Sequence, residues 1–487
     1  MPAPLFLGLD LGTTNAKAAI YDGPGKLIGA QTVAYPTAYS EPGGAEQRLA
    51  DWTTALTQAC HQLMNTMGNR ARDLVAMGLS AHGPGVVLLD ERGQPLLPTS
   101  PIWQDTRCTL QGEALLTTLG RAWTGLHLAR NSFPAQLKWT RERYPAQAAQ
   151  ARYALGIKDY LVYWLTGALV TEPSQVAGGL VWWPELMTAS GWGVEQLPPV
   201  QPATAVVGQM RATLVEALGL PAPLPVVSGL ADGAAATLSM GAIHPNQAVL
   251  TLATSGVIRV VSEQAVDPLL QHSHNLFCWP YLEGRWITGG HIKAAGTALQ
   301  WLQGLLTPTE ASLEHLLAQA AASPVGSQGV IFLPYLLGRG SPQADETAQG
   351  AFLGLTLGHG ASDLTRAVLE GVAFAYRDVL DDFVVMGHEI RELHISGGGA
   401  ASGLWRQILA DVLQRPLVYY SADSTLGAAM VAAIGVGHYA DCGAAIAAMV
   451  SPGLRIEPDG ATVSQAEAAL QTYRAWRDRL YGKEGNR

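Results

Sequence analysis

The stretch that decides the reading is Phe6–Asp22, FLGLDLGTTNAKAAIYD. Two apolar runs flank a knot of small polar residues, the pattern of a β-hairpin. The first run carries Asp10; Gly12, Thr13 and Thr14 make the turn, and Lys17 follows. Glycine and threonine are ordinary turn residues, and a plain turn accounts for them. A phosphate grip accounts for them too. Gly12 has no Cβ to hold a ligand away from the backbone. Backbone N–H groups and the Thr13 and Thr14 hydroxyls donate to phosphate oxygens, and a carboxylate such as Asp10 holds a hydrated Mg²⁺. The Gly-x-x-x-x-Gly-Lys-Ser/Thr loop is absent from this stretch.

Outward from this hairpin the chain alternates strands and helices. Leu27–Tyr35, Leu74–Leu79 and Val86–Leu89 read as strands, and Asp51–Met67 as a helix with Asp51 placed to cap it. Residues 109–200 read as largely helical. Near residue 248 the opening pattern returns: AVLTLATSGVIRVVSE is an apolar run, Ala253-Thr254-Ser255-Gly256, and a second apolar run. The repetition predicts two similar α/β domains, 1–243 and 244–487, each opening on a phosphate-facing hairpin. In the second half, ASDLTRAVLEGVAFAYRDVLDDF is a strong helix capped by Ser362 or Asp363, and STLGAAMVAAIGVG is a small-residue helix suited to close packing.

Composition bounds the function. The chain has 487 residues, 48% hydrophobic and only 14% charged, enough for large cores. A net charge of −9 argues against a nucleic-acid partner, though not against an anion bound locally. Cys60, Cys108, Cys278 and Cys442 are far apart and form no C-x-x-C, which predicts a reduced, cytoplasmic chain. Neither a signal peptide nor an apolar run of roughly 18 residues is evident, so no membrane partner is expected. His272 and His274 lack companion ligands and read as ordinary loop or core histidines.

Two further turns carry chemistry. In LPVVSGLADGAAATLSMGA (Leu224–Ala242) a buried-type strand leads into Asp232 at the start of an alanine-rich helix. Asp232 there is either an N-cap or a general base for a hydroxyl that attacks phosphorus. In SGGGA (Ser396–Ala400) three glycines follow a strand, either as a tight turn or as a cradle for a planar or phosphorylated ligand. Three such turns and an isolated acid at strand ends favour a nucleotide-using enzyme with a cleft between two domains.

These motifs, in this order, resemble the FGGY carbohydrate kinases, within the superfamily of actin, hexokinase and the seventy-kilodalton heat-shock proteins. GAFLGLTLGHGASDLTRAVLEG (Gly350–Gly371) is similar to the family's C-terminal signature, and LDLGTT, IWQDTR, KDYLVYWLTG, ATSGV and SGGGAASGLWRQILADV to its other motifs. The resemblance implies two actin-like (ribonuclease H-like) ATPase domains that close over ATP and a sugar. By it, Asp232 matches the catalytic base, and Asp10 with Asp232 the acids near Mg²⁺. Gly12, Thr13, Thr14 and Lys17 match the first phosphate loop and Thr254 the second. Gly296 and Gln300 match positions near the nucleotide, and Gly398 and Gly399 the adenosine side. His82, Trp103 and Asp105 are the candidates for the sugar pocket, and a homodimer is the expectation by analogy.

Within the family, glycerol kinases have Arg-Glu where this chain has Gly83-Pro84, a Tyr near Asn131, and Gln where Gly233 stands. The spacing is most similar to xylulokinases, whose Gln-Met-His is replaced here by His82-Gly83-Pro84 and whose Asn after the base is Gly233. D-xylulose is therefore the expected substrate, with another ketose, a polyol or a sugar acid as alternatives. A non-catalytic sugar or nucleotide sensor, or an ATP-driven chaperone, would share the fold. Asp10, Lys17 and Asp232 argue against the sensor, and kinase motifs reaching almost to the C-terminus argue against the chaperone.

Overall fold

The computed structural model describes residues 3–119, 132–175, 184–306 and 312–482; Asn131 lies outside them. Two seven-stranded sheets organise the chain. In the first, Leu27–Ala34, Asn15–Asp22 and Leu5–Leu11 form an antiparallel meander. Leu74–Ala81 then joins Leu5–Leu11 in parallel, and Pro225–Val227 joins Leu74–Ala81 in parallel. The second sheet repeats the plan: Trp286–Ile292, Gly256–Ser262 and Ala248–Leu252 are antiparallel, and Leu393–Ser396 and Leu417–Tyr419 continue in parallel. The two hairpins predicted from sequence thus hold equivalent places in two mixed sheets. Every residue of Leu5–Leu11 is buried, as expected of a central strand covered on both faces.

Several boundaries differ from expectation for physical reasons. Asp51 is not the N-cap. Glu46–Arg48 pairs with Thr99–Pro101 as strands, so the chain stays extended to Arg48 and the helix runs Leu49–Met67 with Asp51 in its first turn. There its carboxylate still faces the positive helix end. The long helix Ala361–Val385 has Gly360 as N-cap. Asp363, not Ser362, closes it, accepting the Gly360 N–H at 3.0 Å. Between 109 and 200 the helices are interrupted by a short strand, Tyr153–Leu155, which pairs with Val87–Leu89. Ser396–Ala400 does not open the α-helix directly; a 3₁₀ turn at Gly398–Ala401 precedes the helix Gly403–Leu413.

The small-residue helix Ser424–Gly435 belongs to the second half of the chain but packs on the first sheet. Glycines on both sides permit the approach. A Cβ on Gly8 would lie 2.0 Å from the Thr425 carbonyl oxygen, one on Gly78 1.9 Å from that of Ala428, and one on Gly427 2.1 Å from that of Ala235. Phe6, Ala76, Val227, Leu238, Met430 and Ala433 share one buried cluster across this seam.

Candidate active site

The first hairpin tip is held from several sides. Gly12 N–H donates to the Asn15 carbonyl at 2.9 Å, and the Tyr35 hydroxyl donates to the Gly12 carbonyl. Gln47 Nε2 donates to the Thr13 carbonyl at 2.7 Å, and Trp103 Nε1 to Thr13 Oγ1 at 2.8 Å. A Cβ on Gly12 would meet nothing closer than the Asn15 carbonyl oxygen at 3.4 Å. The fold alone therefore does not demand glycine at position 12.

Asp10 faces Lys17 across the hairpin. Its carboxylate is buried and accepts the Ser80 hydroxyl at 2.5 Å. Burial pushes its carboxyl up to about 7 against the Ser80 hydrogen bond, and the charges of Asp232 and Asp423 add to the rise. Lys17 Nζ reaches Asp423 at 3.1 Å, and Asp423 caps the Ser424–Gly435 helix through the Thr425 N–H at 3.0 Å.

Asp232 is the first residue of the helix Asp232–Ser239, with Ala231 as N-cap. The capping role open to it from sequence is thus not the one it has. Its carboxylate accepts the N–H of Gly233 at 2.6 Å, and burial raises its carboxyl above the ordinary range while Arg259 pulls it back. The turn before it rests on a buried network. Lys158, fully buried, donates to the Ser228 carbonyl at 2.8 Å and lies 3.8 Å from both Asp159 and Glu172. Glu172 in turn accepts the Ser174 hydroxyl, and Ser174 accepts the Ala231 N–H at 3.0 Å.

The second hairpin carries Thr254 at its tip. Its carbonyl accepts both the N–H and the hydroxyl of Thr297, each at 3.0 Å. Gly296 starts the helix Gly296–Leu306 so close that a Cβ would lie 2.5 Å from the Ala253 carbonyl oxygen. Gln300 is exposed on that helix. Gly398 has open space where a Cβ would be, whereas Gly399 packs on Leu252 and Trp405. Packing explains Gly399; it does not explain Gly398.

The three sugar-pocket candidates have different settings. Trp103 is partly exposed and tied to Thr13. His82 is buried, shares Gln47 Oε1 with the Trp52 indole N–H, and stands edge-on to Trp52. Asp105 is buried and accepts from the Ala45 N–H at 3.0 Å and from Arg107. Its carboxylate thus anchors a loop through Arg107, which also bridges Glu46 and stacks over Trp139.

Asp10 and Asp232 give an all-oxygen donor pair. Among the described residues no group of three or more histidine, cysteine or carboxylate side chains is placed to hold an ion. Two carboxylates suit a hard, hydrated cation that also takes phosphate oxygens. His274 pairs with Asp382 at 2.6 Å, an ordinary structural contact. Sequence reasoning missed Arg259, Asp423 and Lys158. Arg259 had a signal: it is the lone charge in the apolar strand Gly256–Ser262.

Comparison with known proteins agrees with this geometry. The model of the FGGY family of carbohydrate kinases, N-terminal domain, matches residues 5–239, and that of the C-terminal domain matches 248–436. The chain belongs to the FGGY family of carbohydrate kinases. It is an ATP-dependent sugar kinase with the two-domain actin-like fold. This FGGY kinase is 31% identical to a xylulose kinase of Escherichia coli (strain K12) over 447 residues, covering 88% of this chain and 90% of that one. Among solved structures it is similar to a xylulose kinase from Rhodospirillum rubrum, with a TM-score of 0.84, 31% identity, and coverage of 98% and 99%. It is similar also to a gluconate kinase from Lactobacillus acidophilus, with a TM-score of 0.88, 25% identity, and 98% of each chain covered. Among the described residues no helix is long and apolar enough to cross a membrane.

Proposed function

We propose that this kinase converts D-xylulose to D-xylulose 5-phosphate. The observation that carries the chemistry is the pairing of Asp10 and Asp232. Both are desolvated carboxylates, and Asp10 feels the charge of Asp232. Asp10 and Leu230 pair with Ser80 from opposite sides of the strand Leu74–Ala81, which sets Asp232 at the strand ends beside the first hairpin tip. The sugar assignment is supported by relatives named xylulose kinase that align over most of the chain. Residues 1–243 and 244–487 act as the two lobes of the cleft.

Asp232 is the general base. Its carboxylate accepts the proton of the attacking sugar hydroxyl as the new O–P bond forms, and ADP departs with the electrons of the broken P–O bond. A base held above the ordinary carboxylate range is a better proton acceptor near neutrality. Gly12, Thr13, Thr14 and Lys17 hold phosphate oxygens, with Thr254 facing them. Gly296, Gln300, Gly398 and Gly399 lie along the nucleoside. His82 and Asp105 shape the sugar side from beneath, and Trp103 lines it. Mg²⁺, when bound, neutralises phosphate charge; Asp10 and Asp232 are the residues that fit it. All four cysteines are buried and free, in keeping with a reducing cytoplasm.

The test is an ADP-release assay with Mg²⁺-ATP over D-xylulose, L-xylulose, D-ribulose, L-ribulose, erythritol, D-arabinitol, gluconate and glycerol. The expected result is fastest turnover with D-xylulose. Faster turnover of another acceptor overturns the sugar assignment.

A further inference from the structure

Arg259 stands on the second hairpin, yet its guanidinium reaches the start of the Asp232 helix. It is only 7% exposed. Nη1 donates to Thr251 Oγ1 at 3.0 Å. Nε is buried and, among the described residues, without a partner. Among the described residues no carboxylate forms a salt bridge with it, and the acid whose charge it feels is Asp232. A buried cation with unused donors is costly unless something satisfies it.

The reason it fits there is Gly233. A Cβ on Gly233 would sit 3.1 Å from Arg259 Nη2 and 3.4 Å from Nε. Any larger residue directly after Asp232 would press on the guanidinium. Arg259 therefore fills the space that a polar side chain at 233 would take. It is supplied by the opposite half of the chain from Asp232, so the two halves of the chain meet beside that carboxylate.

A guanidinium offers parallel donors in a planar fork, which matches two neighbouring oxygens better than one. We propose that Arg259 is a substrate-binding, specificity-determining residue whose Nε and Nη2 donate to two oxygens of the sugar, on the first and second carbons along from the one whose hydroxyl Asp232 deprotonates. For D-xylulose reacting at its terminal hydroxyl these are the oxygens at carbons 4 and 3. The proposal rests on the sugar-kinase activity but not on which sugar is used. It selects acceptors with adjacent oxygens beside the reacting hydroxyl and penalises those missing one.

The experiment crosses Arg259→Met with a deoxy acceptor. Steady-state rates are measured for the full-length wild type and R259M. The acceptors are the sugar the wild type phosphorylates fastest and its analogue lacking the hydroxyl next to the reacting carbon. A hydrogen bond from a charged donor corresponds to roughly a 10- to 100-fold effect. The wild type should lose about that factor in kcat/KM on the deoxy sugar. R259M should lose at least that factor on the parent sugar, mostly in sugar KM, with ATP KM changed by less than about threefold. R259M should then no longer distinguish the two acceptors. Retention of the full discrimination by R259M would show that Arg259 acts only in packing, and would overturn the proposal. Should R259M not fold, Arg259→Lys keeps the charge without the fork; it should discriminate the deoxy sugar less than the wild type does, and unchanged discrimination overturns the proposal equally. If the assay panel selects a sugar other than D-xylulose, that sugar and its deoxy analogue are used. Failure of the xylulose assignment and failure of the Arg259 role are thus read separately.

Discussion

His82 offers a test of how tightly the floor of the proposed sugar site is sealed. It is 1% exposed, packed edge-on to Trp52 and joined to Gln47 Oε1 at 3.2 Å, and its Nδ1 is buried and, among the described residues, without a partner. Burial pushes its imidazole down from 6.5 to about 3. The folded protein therefore holds His82 neutral, while the unfolded chain protonates it below pH 6.5. Stability from this group is present above the unfolded value and is lost as pH falls toward the folded one. Taking 1.36 kcal/mol per unit, the loss between pH 7 and pH 5 is about 2 kcal/mol. The perturbation is His82→Gln, which removes the titrating group. Urea unfolding at pH 7 and pH 5, followed by circular dichroism, compares the two proteins. The wild type should lose about 2 kcal/mol more than H82Q over that interval. Other groups, Asp10 included, titrate in both proteins and cancel in the difference. Parallel pH dependences would refute the reasoning, because they would mean that His82 takes up its proton in the folded state.

Four further outcomes follow from the geometry. Asp232→Asn keeps the shape and the acceptor for the Gly233 N–H, so kcat should fall by roughly 10²- to 10⁴-fold while calorimetric binding of ATP is retained; near-normal turnover would remove Asp232 as the base. Gly78→Ala places a Cβ 1.9 Å from the Ala428 carbonyl oxygen, and overpacking of this kind costs roughly 1–3 kcal/mol; Gly304→Ala, on a helix with open space around it, should stabilise by roughly 0.5–1 kcal/mol, and both are read in Tm. Lys158→Met leaves Asp159 and Glu172 buried without their cation, which costs roughly 3–5 kcal/mol and should lower Tm far more than loss of the exposed Lys26.

What sequence could reveal here was local. The two hairpins show because each knot of glycine and threonine interrupts an apolar run within a few residues. Asp232 shows because glycine and alanine surround it. The Lys17–Asp423 pair, 406 positions apart, is made by the fold and has no local signature. Arg259 was visible as an odd charge in a strand, but its meaning needed Gly233 beside it. Asp105 looks like a free acid in IWQDTR until Arg107 and the Ala45 N–H are seen to engage it. Asp51 has every local mark of an N-cap, and only the pairing of Glu46–Arg48 with Thr99–Pro101 moves the helix start.

The helix Ser424–Gly435, wedged onto the first sheet, has a consequence for the order in which the protein is made. Phe6, Ala76 and Val227 are translated early, but the surface that covers them arrives only with Leu426, Met430 and Ala433. At the usual pace of synthesis, the nearly two hundred residues between the Asp232 and Ser424 helices take roughly 10–40 s to emerge. During that interval the nascent first lobe carries an uncovered apolar face lined by Gly8 and Gly78. A chain stalled before residue 424 should therefore engage a holding chaperone, and one released after residue 435 should not.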